Sequence, residues 1–124
     1  MQRLVGIFRV EADLDEALIE VGELRRRWTA VKATGGRIYN PGWNLVFELD
    51  HLLTVSEAIA RSARLRTESR GAHSRLDYPA TDDGRWGEIN SLVTRAPDGT
   101  MSVTTAPLPA ITDEMRSLLG PSAH

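Results

Sequence analysis

NPGWNLVFELDHLLTVSEAIARSARLR, residues 40–66, is the stretch whose reading decides the architecture. Asn40 stands where a helix N-cap is needed. Pro41 falls in the first turn, where its missing N–H is harmless. Leu45, Val46, Leu49, Leu52, Leu53, Val55, Ile59 and Ala63 cover more than one stripe of such a helix, which predicts a helix wrapped by neighbours. At about 1.5 Å per residue it would run on the order of 39 Å, beyond the roughly 30 Å diameter of a small domain. A long, widely apolar helix in a chain of 124 residues predicts an elongated body that lies against something else.

Upstream, Leu14, Leu18, Val21, Leu24, Trp28 and Val31 recur at three- and four-residue steps and predict a helix over 11–32. Asp13, Asp15 and Glu16 near its start and Arg25, Arg26, Arg27 and Lys32 near its end complement the helix dipole. Glu23 and Arg27 are placed to pair across one turn, and Gly35-Gly36 is the expected stop. Residues 1–10, apolar at Leu4, Val5, Ile7 and Phe8, fit either a short helix interrupted near Gly6 or an extended lead-in.

Downstream, residues 67–79 are polar, with Gly71 in the middle and Pro79 opposing helix continuation. Thr81-Asp82-Asp83-Gly84 is turn chemistry. Residues 88–95 and 100–105, joined by Pro97-Asp98-Gly99, predict a hairpin. A lone hairpin is marginal in water, so it must pack on the helices or on a partner. Thr112 caps a last short helix through Leu119, stopped by Gly120-Pro121. The fold class expected is mainly α: an elongated helical bundle of two long helices and a short C-terminal helix, with a small β-hairpin. Residues 1–124 are expected to form one domain.

Composition narrows the function. Fifteen basic against seventeen acidic residues leave a net charge of -2, which argues against a dedicated nucleic-acid binder. The absence of cysteine excludes a disulfide scaffold, a thiolate metal site and cysteine catalysis. No apolar run approaches the roughly 20 residues of a membrane span. A soluble chain without direct membrane insertion is expected, and the missing cysteines fit a reducing compartment such as the cytoplasm.

Few residues look chemical. His51, His73 and His124 are widely spaced, and no metal site is expected from them. His51 beside Asp50 reads as a partly exposed pair, and Arg25-Arg26-Arg27 as a solvated helix end. Gly35-Gly36 follows a helix, not a strand, so it is no phosphate loop. One segment stands out: Arg66-Thr67-Glu68-Ser69-Arg70-Gly71-Ala72-His73-Ser74-Arg75-Leu76-Asp77-Tyr78-Pro79. Arginine's rigid fork suits bidentate carboxylate pairing, and Gly71 allows a conformation or approach that a side chain would block. Glu68, Arg70, Gly71, His73, Arg75 and Asp77 are therefore the candidate residues. They suit either an anion or substrate site or an ion-pair network that fixes how this loop docks on another surface.

The same segment resembles the C-terminal domain of the succinate dehydrogenase/fumarate reductase flavoprotein family, in which a long helix runs into R-x-E-S-R-G-A-H-x-R-x-D-Y/F-P. Arg66, Glu68, Ser69, Arg70, Gly71, Ala72, His73, Arg75, Asp77, Tyr78 and Pro79 fill every fixed position. Val5-Gly6-Ile7-Phe8-Arg9 is similar to the family's "GI-x-R", and Asp82-Asp83 with Trp86 to its "D-D-x-x-W". L-aspartate oxidases carry a similar segment. The resemblance implies a structural domain of an FAD-dependent oxidoreductase that interconverts succinate and fumarate, in the tricarboxylic acid cycle and electron transport. The FAD-binding and capping domains, with their catalytic and flavin-binding residues, are absent from this sequence. No catalytic, cofactor-binding or metal residue is carried over, and the chain alone is expected to be inactive.

The expected partners are the FAD-binding domain of the parent flavoprotein and its iron–sulfur subunit, with the parent complex peripheral at the cytoplasmic face of a membrane. The six candidates would hold the domain docking. Two other readings stand beside this one. In the first, Arg70, His73 and Arg75 reach the active site and position FAD or dicarboxylate. In the second, the chain is an independent interaction module. A separated domain should also self-associate through uncovered apolar surface.

Overall fold

The computed structural model describes residues 1–119. It is mainly α, in the order β1 (Phe8–Arg9), α1 (Glu11–Trp28), α2 (Pro41–Leu65), β2 (Ser74–Arg75), α3 (Asp83–Trp86), β3 (Ile89–Arg95), β4 (Met101–Pro107) and α4 (Asp113–Leu119). The expected stop at Gly120-Pro121, and His124, lie outside the described residues.

The Asn40-Pro41 reading of the second long helix holds. The Asn40 side chain accepts from Gly42 N at 2.9 Å, and its Nδ2 donates to Thr34 O and Gly36 O. One residue thus fixes both the helix start and the loop before it. α1 and α2 pack as an antiparallel pair. Arg64, near the end of α2, pairs with Asp15 and Glu11 near the start of α1. At the other end Trp28 Nε1 donates to Val46 O at 3.1 Å. Leu14, Ala17 and Val21 of α1 and Leu53, Ala60 and Ala63 of α2 form the buried seam.

Three details depart from expectation. α1 ends at Trp28, well before Gly35-Gly36, because Ala30 N and Val31 N bond one residue short, to Arg27 O and Trp28 O. The Thr29 hydroxyl also donates to Arg26 O, which closes the last turn early. Glu23 pairs with Arg26, not Arg27. The third departure concerns α2, which is not wrapped: Leu45, Phe47, Leu52, Val55 and Ile59 are between 44% and 64% exposed.

The N-terminal stretch is the extended lead-in, preceded by one hydrogen-bonded turn and not by a helix. Val5 N bonds Met1 O in a single turn, and then Phe8–Arg9 extends to pair in parallel with Ser74–Arg75. Nothing in the sequence pattern points to this two-rung ribbon. The hairpin forms as expected, β3 antiparallel to β4, with Gly99 at φ 85° in its turn, and it packs on α2. Asp82, read as a turn residue, caps α3 through Arg85 N. Thr112 Oγ1 accepts from Met115 N at the start of α4.

Candidate functional site

Residues 66–83 fold back over the end of α2, and their backbone is fixed by the sequence's own chemistry. Arg70 and His73 exchange both backbone hydrogen bonds, at 2.8 and 3.0 Å. A turn that tight places Gly71 at φ 57°, in the left-handed region where a Cβ is costly. The Ser69 hydroxyl receives Arg75 N at 2.8 Å and donates across the loop to Tyr78 O at 2.9 Å. Beyond the turn, Ser74 N and Leu76 N bond Ile7 O and Arg9 O, so the loop is stitched to the N-terminal segment.

Two charge clusters result. Glu68 is fully buried and accepts from Arg66 Nε at 2.7 Å, Arg70 Nε at 2.9 Å, Arg70 Nη2 at 3.1 Å and Asp82 N at 2.8 Å. Arg70 reaches on to Asp83 at 2.6 Å, and Arg66 to Trp86 O at 3.0 Å. A carboxylate so surrounded stays ionised. The Arg70 guanidinium, reinforced by Asp82 N–H and Arg66, holds Glu68 down at about 2 against the opposing effect of burial.

The second cluster centres on Arg75, which has no exposed surface. Its Nε and Nη2 form a bidentate pair with Asp77, both at 2.7 Å. Nη1 points the other way, into the C-terminus of α2, and donates to Ala63 O, Arg64 O and Arg66 O at 3.0, 3.3 and 3.2 Å. Those carbonyls are among the acceptors a helix end leaves unpaired, and a cation there suits the dipole. Asp77 meanwhile accepts from Glu11 N at 2.9 Å. α1 begins after Val10, which has no side-chain cap, so Asp77 supplies the missing N-terminal acceptor from 66 positions away. Arg75 chiefly, with the Glu11 N–H, depresses Asp77 to about 2. One ion pair thus caps the end of α2 and the start of α1 together.

His73 sits between the clusters. Arg9 Nη1 lies 2.6 Å from its Nδ1 and Arg66 O 3.2 Å from its Nε2. A guanidinium can only donate. Nδ1 must therefore be the acceptor, and the proton is on Nε2, directed at Arg66 O. The ring is neutral. Burial chiefly, with the Arg9, Arg75 and Arg66 charges, lowers its pKa against the opposing hydrogen bond to Arg66 O.

All six candidates are therefore in one place: Glu68 and Arg70 in the first cluster, Arg75 and Asp77 in the second, Gly71 and His73 in the turn that joins them. Their polar atoms are largely spent within the chain. The six candidates leave out Arg9, Arg66, Ser69, Asp82 and Asp83, although the motif carries Arg66 and Ser69 and "D-D-x-x-W" carries Asp82 and Asp83. For Arg9 the signal was available in its place at the end of "GI-x-R". Among the described residues no group of His, Asp and Glu is arranged to hold a metal ion, and no helix is long and apolar enough to cross a membrane.

Comparison with known proteins matches residues 1–116 to the family described as fumarate reductase flavoprotein C-term. The succinate dehydrogenase flavoprotein subunit of Rickettsia felis is 32% identical over 95% of this chain. The fumarate reductase flavoprotein subunit of Mycobacterium tuberculosis is 36% identical over 87%. Among solved structures, Mycobacterium smegmatis Sdh1 in complex with UQ1 superposes with a TM-score of 0.78 at 36% identity over 94% of this chain. E. coli quinol fumarate reductase gives 0.78 at 33% over 86%. The chain spans only 20% and 18% of the two relatives, and 20% and 19% of the two structures. With the motif, the fold and the family model in agreement, the chain belongs to the C-terminal domain family of succinate dehydrogenase and fumarate reductase flavoprotein subunits.

Proposed function

We propose that residues 1–124 act as one non-catalytic domain that braces the FAD-bearing part of a succinate- or fumarate-converting flavoprotein. One observation carries this reading. α2 leaves a long apolar face bare, with Leu45 at 64%, Leu52 at 61%, Val55 at 55% and Ile59 at 44% exposure along one side of the helix, and a patch of that extent marks a docking surface. Glu68, Arg70, Gly71, His73, Arg75 and Asp77 serve the docking indirectly, by locking the loop and both helix ends into a fixed shape. Rigid elements bind with less ordering entropy to lose.

The flavin is assigned to the portion of the parent that this chain does not span. The described residues supply no glycine-rich turn from a strand into a helix, the backbone geometry that cradles a dinucleotide pyrophosphate. An iron–sulfur subunit would meet the assembled flavoprotein, and the complex would sit at the cytoplasmic face of a membrane through other subunits.

The test is complementation. The chain is mixed with the Mycobacterium smegmatis flavoprotein truncated before its own C-terminal domain, and succinate-dependent dye reduction is followed. Recovery of activity by the wild-type chain, reduced at least tenfold by Leu52→Glu with Val55→Glu, is the expected result. Failure of two folded partners to associate, or succinate oxidation by this chain alone, would overturn the reading.

A further inference from the structure

Every other arginine beside His73 has a carboxylate partner: Arg66 and Arg70 share Glu68, Arg70 also holds Asp83, and Arg75 holds Asp77. Arg9 differs. Its side-chain hydrogen bonds among the described residues go to Gly6 O and His73 Nδ1, both at 2.6 Å. Both acceptors are neutral, and among the described residues Nη2 is left without a protein acceptor. Burial and the nearby Arg75 both disfavour its charge, a penalty that an anion alongside would relieve.

Arg9 and His73 form one wall of an open notch of about 410 Å³ over the last turns of α2. Ala58 and Ile59 give it an apolar side, and Ser62 and Ser91 also line it. A serine hydroxyl can donate one hydrogen bond to an anion. From this arrangement we infer that the notch is a seat for one carboxylate, borne by a short aliphatic stem. The guanidinium edge supplies the charge, the two hydroxyls offer further donors, and Ala58 with Ile59 covers the methylenes. A single uncompensated cation beside a neutral imidazole matches one negative charge, not the two of a phosphate monoester. The stem belongs either to a glutamate or aspartate on an adjoining protein surface or to a small free acid.

NMR of the full chain tests the site through the Arg9 Nε–H and His73 ring signals. Sodium butyrate should shift both saturably, with an apparent Kd of about 10 mM, as expected for roughly 3 kcal/mol from one charge-assisted contact. Sodium chloride at equal ionic strength should not. Arg9→Gln should weaken butyrate binding at least tenfold. Ser62→Ala with Ser91→Ala, changes that leave the backbone untouched, should weaken it several-fold. A glutamate blocked as its N-acetyl amide distinguishes the sources: binding as tight as butyrate points to a protein side chain, and markedly weaker binding to a free acid. The site is refuted by unsaturable shifts, by an equal response to chloride, or by undiminished binding in the Arg9→Gln protein. Should Arg9→Gln fail to fold, undiminished binding in the double serine variant refutes it as well.

Discussion

Replacing Arg75 by methionine isolates what the guanidinium contributes, because methionine fills the space of the aliphatic stem and adapts to irregular gaps. Lost are the two 2.7 Å bonds to Asp77 and the three donated to the carbonyls of Ala63, Arg64 and Arg66. Breaking a buried ion pair by removing one partner costs about 3–5 kcal/mol. Asp77 is 27% exposed and keeps its bond from Glu11 N, so it can recover some hydration. That places the expected loss near the lower end, about 3 kcal/mol. With a urea slope of about 1.5 kcal/mol per molar, the unfolding midpoint should fall by about 2 M.

Arg75→Lys keeps the charge but not the planar fork, so about half the loss should remain. Urea titration followed by far-UV circular dichroism reads both. A midpoint for Arg75→Met within about 0.3 M of wild type, less than 0.5 kcal/mol on that slope, would refute the idea that this side chain clasps two helix ends. A lysine variant as stable as wild type would show that charge alone suffices.

Acid should unfold the protein through its two carboxylate clusters. Glu68 and Asp77 are both held at about 2, so the folded state binds fewer protons than the unfolded one. Their contribution is full above the ordinary carboxylate range and is lost as pH falls toward 2; a thermal midpoint that stays flat over that interval would contradict it. Gly71→Ala should cost about 1–2 kcal/mol from the left-handed backbone alone, since a Cβ at this position would meet no neighbouring heavy atom within 4 Å. Thermal denaturation measures it, and an unchanged midpoint would show that the turn relaxes freely. Trp86 is buried with its Nε1 unpaired among the described residues, so Trp86→Phe removes an unsatisfied donor worth about 1–3 kcal/mol and should destabilise far less than a large-to-small core change. A loss in urea titration above about 3 kcal/mol, the scale of Phe or Trp truncation to alanine, would argue otherwise.

Much of this was legible in the sequence where the cause is local. Asn40-Pro41 announced α2, Pro97-Asp98-Gly99 the hairpin, and the density of opposite charges around Gly71 marked the site. What was hidden depends on residues far apart. Val10 looks like a poor place to start a helix until Asp77 arrives from the other side of the chain. Two-residue strands carry no periodicity, so the Phe8–Arg9 pairing leaves no trace in the pattern. Periodicity also misled at α2: it identifies which faces are apolar, but not which of them the same chain covers.

The stitching of residues 8–9 to 74–75 has a kinetic corollary. Arg9 and His73 are 64 positions apart, so the entropy of closing that loop is recovered only once the antiparallel helices have met. The charged clasp should therefore assemble after the rate-limiting barrier, with Leu14 and Leu53 in place before it. Weakening the clasp would then shorten the lifetime of the native state while leaving the refolding rate nearly untouched. Stopped-flow chevrons of Arg75→Lys, with the change confined to the unfolding arm, would bear this out; a slowed refolding arm would place the clasp in the nucleus instead.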